Sequence, residues 1–588
     1  MTDYAPPIRD TLFILNDVLQ LDRHADLPGY DAMDAELAET LATEAGRFCA
    51  EVIAPLNAPG DRHGCTRHAD GSVTTPPGYR EAYGRYVEAG WGTLALPEEL
   101  GGQGLPHVLA TVVEEYMNSA CHAFNMYPGL THGAVAALAA RGDAALKEQY
   151  LPNLVSGEWL GTMALTEAHA GTDLGLVRTR AESAGDGTYT ITGEKIFCSG
   201  GEHDLTDNII HLVLARVPGA PPGPRGISLF VVPKILADGT RNAATCGSIE
   251  HKMGVHGSAT CVMNFDGATG WLVGEENDGL AAMFIMMNAA RLSCGNQGVA
   301  QAELAYQKAA AYALDRRQGR GAGPRPDPQA AADPIIVHPD VRRMLMDARA
   351  FIEGFRALIL WTALQIDIAN RSESAEERAA AEELVSLLTP VIKAHGTDRG
   401  FETAVAMQQI FGGHGYVAEW GMEQIVRDAR VAMIYEGANG VQALDLAGRK
   451  LARDGGVVAE RFFALVEGEC AAAGEELRAI SAPLADAVGE ARAAAQWLLA
   501  AGKDDPVQLG AGSQPFLRLM GLLAPGWMWL RLAEAARTGA ESDFHAAKLI
   551  TARHFATRNL PEVHALRRQV EAGAETLMAL PPEMFARA

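Results

Sequence analysis

The chain has 588 residues, 48% hydrophobic and 21% charged, and a formal net charge of -24. That length exceeds what one hydrophobic core serves, so three or four domains are expected. The acidic balance excludes a DNA-coating role, which needs clustered positive charge, but not a phosphorylated small molecule held by a few basic groups.

Abundant alanine and an aromatic content of only 6% favour helices over sheets. The eight cysteines are dispersed without a CxxC pair, which argues against zinc and against a disulfide framework. The opening MTDYAPPIRD lacks a basic-then-apolar signal pattern, and no apolar run reaches membrane-spanning length. FLRLMGLLAPGWMWL, from Phe516, comes nearest, but it holds Arg518 and Pro525 and reads as a packed helix pair. The expectation is a cytoplasmic protein without membrane insertion.

In chain order, AELAETLATEAGRFCAEVIAPLN reads as one amphipathic helix closed by Pro55. WGTLALPEELGGQGLP, from Trp91, is a breaker-rich loop, and LATVVEEYMNSACHAF resumes the helical period. From about residue 162 to 275 the short runs TYTITGEKIFCSGG, HLVLARV, GISLFVVPK and ATCVMNFDGATGWLVG are separated by Gly, Pro and Asp, which predicts a small antiparallel β-domain. Helices return from Asn288 to Arg317. VRRMLMDARAFIEGFRALIL then sets Val341, Leu345, Ala348, Ile352, Phe355 and Ile359 on one helix face. Between these helices GRGAGPRPDPQAAADP is a mobile loop by composition. A last alanine-rich section reads helical, with breaks near Pro483, Pro506 and Pro525. From Leu451 it carries 14 basic and 17 acidic residues, so it is no basic nucleic-acid arm. The predicted fold is α+β and mostly α, with strands segregated from helices, which argues against a parallel Rossmann sheet.

Three short stretches carry candidate chemistry. In MALTEAHAGTDLG (163–175) small residues and a hydroxyl at Ala170, Gly171 and Thr172 let a ligand approach the backbone, although a loop capped by Thr166 or Asp173 has the same look. In EKIFCSGG (194–201) strand alternation puts Phe197 and Ser199 on one side. An aromatic wall beside a hydroxyl suits a flat heteroaromatic cofactor, and equally a half-buried strand. In VAMIYEGANGVQALDL, from Val431, the lone acid Glu436 is either a solvated turn residue or a base kept from water. The cluster GGHG (412–415) lacks G-x-G-x-x-G spacing and follows a helical stretch, so it is not a dinucleotide loop.

Seven stretches in one order, MALTEAHAGTD, KIFCSGG, GISLFVVPK, KMGVHGSATCVMNFD, NAARLSCGNQGVAQAELAYQKAAAYALDRRQG, QIFGGHGYVAEWGMEQIVRDARV and IYEGANG, together resemble the flavin-dependent acyl-CoA dehydrogenases. The resemblance covers roughly residues 40 to 450, and residues 451–588 resemble the extra C-terminal domain of the long members. The opening APPIRDTLFILNDVL and the ending VQALDLAGRK most resemble the branch that acts on 3-methylmercaptopropionyl-CoA. The family architecture implies an N-terminal extension and helical domain over 1–160, a central β-barrel-like domain over 161–277, a helical bundle carrying the base over 278–452, and an extra helical domain over 453–588.

The resemblance implies FAD as cofactor, an acyl-CoA substrate, an electron-transfer flavoprotein as acceptor, no metal, and a homodimer or homotetramer. Residue by residue, it implies flavin contacts at Leu165, Thr166, Phe197 and Ser199, with Phe197 and Ser199 standing where the family has tryptophan and threonine. Ala168 and His169 replace the family's Pro-Gly. It implies FAD-phosphate contact at Arg316, and contact with a neighbouring subunit's FAD at Gln409, Gly412 and Gly413. Substrate contacts fall on Thr172, Asn288, Arg291, Tyr435 and Gly437, Asn288 replacing the usual aspartate. Ala438 and Gly440 depart from the usual threonine and glutamine. Glu436 falls on the family's base: α-protons of a thioester are weakly acidic, so a carboxylate must lie within reach of the α-carbon. Chain length would be set along EEYMNSACHAFNMYPGLTHG (114–133), where Met117, Phe124, Met126 and Tyr127 are candidates and equally plausible core residues.

Other readings are a medium- or long-chain fatty acyl-CoA dehydrogenase, and an idle flavoprotein that binds nucleic acid or protein through its C-terminal domain. The acidic C-terminal section disfavours the second. Oxidation of a nitro compound is disfavoured by the retained glutamate.

Overall fold

The computed structural model describes residues 4–31, 33–323, 327–538 and 542–586; the side chains of residues 288, 289 and 538 are outside that set. Two compact bodies emerge, one formed by Glu44–Ser293 and one by Met1–Thr43 with Cys294–Ala588.

In the Glu44–Ser293 body, a hairpin of β1 (Thr66–Arg67) and β2 (Val73–Thr74) precedes a seven-stranded sheet. Its strands are β3 (Trp159–Ala164), β4 (Arg180–Ser183), β5 (Tyr189–Ser199), β6 (Asn208–Ala215), β7 (Ser228–Pro233), β8 (Ala244–Ile249) and β9 (Thr260–Val273). The order is β3-β6-β7-β9-β5-β4, with β8 also paired to β9. A bridge between Arg180 and Arg216 brings β4 back to the end of β6, closing the barrel-like path. The pairing is antiparallel except for β3 and β6, which run parallel. The four β-prone runs read in the sequence are β5, β6, β7 and β9. The sheet adds β3, β4 and β8, which have weaker patterns.

NIIHLVLA (β6) is buried at every position because both faces of the strand are covered. Ile210, Leu212 and Leu214 join a core with Ala134 and Leu138 of the His107–Arg141 helix and Leu151 of the Ala144–Ser156 helix. Val213 and Ala215 face the other way, onto Ile191, Phe230 and Phe265. The candidate chain-length residues Met117, Phe124 and Tyr127 are buried in this body. Tyr127 donates to the Gly257 carbonyl at 3.2 Å and accepts from the Ala259 amide at 2.9 Å, so it has a structural role.

In the other body the helices Gly279–Asp315 (from Cys294), Pro339–Arg371 and Ala375–Ile410 form the bundle, followed by five long or medium helices from Val457 to Glu571. Leu345, Ala348, Ile352, Phe355 and Ile359 are buried, as their spacing predicts. Glycines set how closely two helices cross. A Cβ at Gly298 would lie 2.3 Å from the Gly396 carbonyl oxygen, and one at Gly400 would lie 2.4 Å from that of Gly298. Only glycine permits that approach, and it brings Gln297 and Lys393 to the same turn.

Three sequence expectations need correction. The helix from Ala35 is not closed by Pro55. A π-turn (Cys49–Ile53) and a 3-10 turn (Ala54–Leu56) carry the chain past it into a helix ending at His63. Pro55 sits in the first positions of the 3-10 turn, where a missing N–H is tolerated. Pro483 and Pro525 do not break their helices, and FLRLMGLLAPGWMWL is part of one helix, Pro506–Thr538, not a pair. Its residues from Leu519 to Leu530 are all buried, and that packing outweighs a loss of about 3 kcal/mol for an interior proline. Of the composition-based loop, residues 324–326 lie outside the described set. Among the described residues no helix is long and apolar enough to cross a membrane.

Candidate active site

Within the β-domain the TEAHAGT loop leaves β3 and is pinned from below. Lys195 on β5 is fully buried and donates to the Leu165 carbonyl and to Glu167 Oε1, each at 2.9 Å. Glu167 also accepts from the amides of Arg178 and Thr179, at 2.8 and 2.9 Å, and from the Thr179 hydroxyl at 2.6 Å. Burial pushes the Glu167 carboxyl up, but Lys195 and these donors outweigh it and hold the group at about 2. The Ile196 amide donates to the Thr166 carbonyl at 2.8 Å, and Thr162 Oγ1 donates to the Ser199 carbonyl at 2.8 Å. Leu165 and Thr166 are thereby set beside Phe197 and Ser199. Asp173 does cap the turn that follows, accepting from the Gly175 amide at 2.9 Å. Thr172 lies on the exposed part of the loop.

Strand β5 bulges between Lys195 and Cys198, and Phe197 sits in the bulge at φ 57°. The extra residue turns Phe197 outward, 60% exposed, on one side of buried Cys198, with half-buried Ser199 on the other. Simple alternation does not anticipate that bulge. Arg291, on the Gly279–Asp315 helix, is buried rather than part of a solvated face. The side chain of Asn288 lies outside the described residues.

In the other body, Glu436 is half-buried in the turn between Met433 and the Asn439–Leu444 helix. Its φ is 54°, and that of Gly437 is 83°. Left-handed backbone costs a residue with a Cβ about 1–2 kcal/mol and persists where the surroundings impose it. Among the described residues five non-glycines have positive φ, and two of them are Phe197 and Glu436. The surroundings are explicit. Tyr435 donates its hydroxyl to Gln297 Oε1. Fully buried Gln442 donates to the Glu436 carbonyl at 3.0 Å. Fully buried Lys393 donates to the Gly437 carbonyl and to Asn439 Oδ1, each at 2.9 Å. Asn439 in turn donates to the Ala394 carbonyl at 3.1 Å and to Asp398 Oδ1 at 2.6 Å. Burial pushes the Asp398 carboxyl above its ordinary value. A Cβ at position 437 would lie 2.6 Å from Gln442 Nε2, so the glycine of YEG is required.

Arg316, Gln409, Gly412 and Gly413 are all exposed. Arg316 follows the last residue of the Gly279–Asp315 helix. Gly412 opens the GGHGY turn at φ 57°. Tyr312 stacks on Phe411 at 4.1 Å, His414 stacks on Trp420 at 4.4 Å, and Tyr312 hydrogen-bonds His414 Nδ1 at 2.9 Å. This aromatic brace fixes the loop while Gly412 and Gly413 stay bare. A Cβ at Gly412 or Gly413 would meet nothing within 4 Å.

Sequence reading missed Glu167, Lys195, Gln297, Lys393 and Gln442, which support the residues it named. Charged or amide residues inside otherwise helical or strand-like patterns were the available signal.

Family models match in chain order: the acyl-CoA dehydrogenase N-terminal domain over 35–158, the middle domain over 162–268, the C-terminal domain over 277–451, and an acetyl-CoA dehydrogenase C-terminal-like domain over 462–581. The chain is 46% identical to 3-methylmercaptopropionyl-CoA dehydrogenase of Ruegeria pomeroyi, over 98% of this chain and 99% of that protein. It is 34% identical to the broad-specificity linear acyl-CoA dehydrogenase FadE5 of Mycobacterium tuberculosis, over the full length of both. The fold is shared with Caenorhabditis elegans ACDH-11 in complex with C11-CoA (TM-score 0.77, 17% identity, 98% of this chain and 95% of that one). It is also shared with a Bacillus anthracis acyl-CoA dehydrogenase complexed with FAD (TM-score 0.74, 21% identity, 95% and 91% covered). The chain belongs to the acyl-CoA dehydrogenase family.

Proposed function

We propose that this chain oxidises an acyl-CoA thioester to the trans-2-enoyl-CoA with Glu436 as base and FAD as cofactor. The observation that carries the reading is half-buried Glu436, its backbone held at positive φ by buried donors from two helices, Lys393 and Gln442, while a third helix accepts from Tyr435 through Gln297. A carboxylate fixed in this way, and further desolvated by substrate, is suited to removing a weakly acidic α-proton. The Glu436 amide, in the same turn, would donate to the thioester oxygen as negative charge develops there.

FAD, when bound, supplies the two-electron acceptor for the β-hydrogen. Exposed Phe197 with Ser199 beside it fits a flat ring system, and Lys195 and the Ile196 amide hold the Leu165–Thr166 backbone next to it. Arg316 would meet FAD phosphate, and Gln409, Gly412 and Gly413 would lie along a neighbouring subunit's FAD, which makes the enzyme at least a dimer. Thr172, Asn288, Arg291, Tyr435 and Gly437 are assigned to the substrate, with electrons passing on to an electron-transfer flavoprotein. We assign a four-part division at about residues 160, 277 and 452, whose first and third parts are each divided between the two compact bodies. The same reading places the enzyme in the cytoplasm.

The substrate we assign is 3-methylmercaptopropionyl-CoA, supported by the full-length similarity to the Ruegeria enzyme. Anaerobic flavin bleaching by 3-methylmercaptopropionyl-CoA and by straight-chain acyl-CoAs of several lengths tests it. The thioether substrate should bleach fastest. Faster bleaching by a medium or long straight chain would reassign the enzyme to fatty acids, and no bleaching by any thioester would end the dehydrogenase reading. Arg316→Ala should copurify with less FAD; an undiminished flavin-to-protein absorbance ratio would remove Arg316 from the cofactor site.

A further inference from the structure

We infer that Lys393 and Gln442 are positioning residues for the reaction: together they hold the two carbonyls of the Glu436–Gly437 peptide segment and so fix where the Glu436 carboxylate stands. The inference rests on the reading of Glu436 as the base.

Both side chains are fully buried, and a lysine ammonium is costly to bury. What they do is specific. Gln442 Nε2 donates to the Glu436 carbonyl at 3.0 Å, and Lys393 Nζ donates to the Gly437 carbonyl at 2.9 Å. Two successive carbonyls are thus drawn onto buried donors from different helices, Asn439–Leu444 and Ala375–Ile410. A glutamate at φ 54° followed by a glycine at φ 83° is the backbone solution that satisfies both. Releasing either carbonyl lets Glu436 relax to negative φ, which swings its side chain to a new direction. Lys393 is itself held, because its second acceptor, Asn439 Oδ1, belongs to a side chain that also donates to the Ala394 carbonyl and Asp398. The Tyr435 hydroxyl on Gln297 steadies the preceding residue from the third helix.

A carboxylate displaced by about 1 Å loses on the order of 100-fold in a proton-transfer step while the rest of the binding surface is untouched. The split between kcat and KM therefore separates positioning from general support. The experiment measures anaerobic flavin reduction, KM, FAD content and thermal midpoint for the full-length holoenzyme carrying Lys393→Met or Gln442→Met, beside Glu436→Gln. Gln442→Met exchanges a neutral side chain for one of similar size, and it carries the test if Lys393→Met does not fold.

The expected result is flavin reduction slowed by roughly 10- to 100-fold with KM and FAD content unchanged. Unchanged flavin reduction in a variant that folds would overturn the inference, as would rate, KM and FAD content falling together. If Glu436→Gln itself reduces flavin normally, the base has been misassigned and that earlier reading fails. If Glu436→Gln is inactive and the two methionine variants are fully active, only the positioning role fails.

Discussion

Glu436→Gln should keep its FAD and lose bleaching by acyl-CoA, with the reductive rate down by roughly 100- to 10,000-fold, the contribution of a positioned general base. The substitution is nearly isosteric, and the buried donors to the turn act on its backbone. Gln442 and Lys393 bind backbone carbonyls, and Tyr435 reaches Gln297 through its own hydroxyl. The turn at φ 54° should therefore survive, and with it any amide donation to the thioester oxygen. What disappears is basicity alone. The effect should accordingly fall on kcat and leave binding of the enoyl product intact, because the donors that hold the turn's carbonyls are kept. The measurement is a stopped-flow bleaching rate at saturating acyl-CoA beside a product titration. Wild-type bleaching would show that another group takes the proton.

Glu436, Phe197 and Ser199 could be singled out as candidates because chemistry needs particular side chains, and those appear as short motifs. Their supports could not, because a buried lysine or glutamine acts through distance in three dimensions. Lys393 stands 43 residues before Glu436, inside a run that reads as ordinary helix. The glycines at 298 and 400 look like weak points in helices until the crossing shows carbonyl oxygens where their Cβ atoms would be, and a Cβ at Gly396 would likewise meet the Phe355 ring at 2.7 Å. The bulge at Phe197 inserts an outward residue that period-two reasoning cannot foresee. Strand β6 was legible because eight consecutive buried positions demand an apolar run, whereas β4, with three exposed residues of four, carries almost no pattern. Prolines misled in the C-terminal section because local propensity says nothing about the packing that overrides it.

Lys548→Met should lower the stability of the body that carries Glu436 by about 3–5 kcal/mol, the loss expected when one member of a buried ionic network is removed. Lys548 is fully buried, bonded to Asp10 and, at 2.7 Å, to Glu353 Oε2. Arg356, also buried, bonds Asp10 and reaches Glu303 Oε2 at 2.7 Å. Asp10 lies on the helix Ile8–Phe13, Glu303 on Gly279–Asp315, Arg356 and Glu353 on Pro339–Arg371, and Lys548 on Asp543–His554. One network thus ties the N-terminal segment and the added C-terminal helices to the bundle. Burial alone would raise the Asp10 carboxyl, but Lys548 and Arg356 hold it below its ordinary value of 3.8. A carboxyl depressed in the folded state contributes stability that is complete above its unfolded value and is lost as pH falls through the folded one. Wild type should therefore lose this contribution only in strong acid. In Lys548→Met, Asp10 and Glu353 are left with less compensating charge, so the loss should already be present at neutral pH. Denaturant melts at pH 7 and at progressively lower pH test both statements. Adding Asp10→Asn to Lys548→Met should restore part of the stability by removing the stranded carboxylate. An unchanged midpoint in the single variant, or no recovery in the double, would show that the network does not hold these segments together.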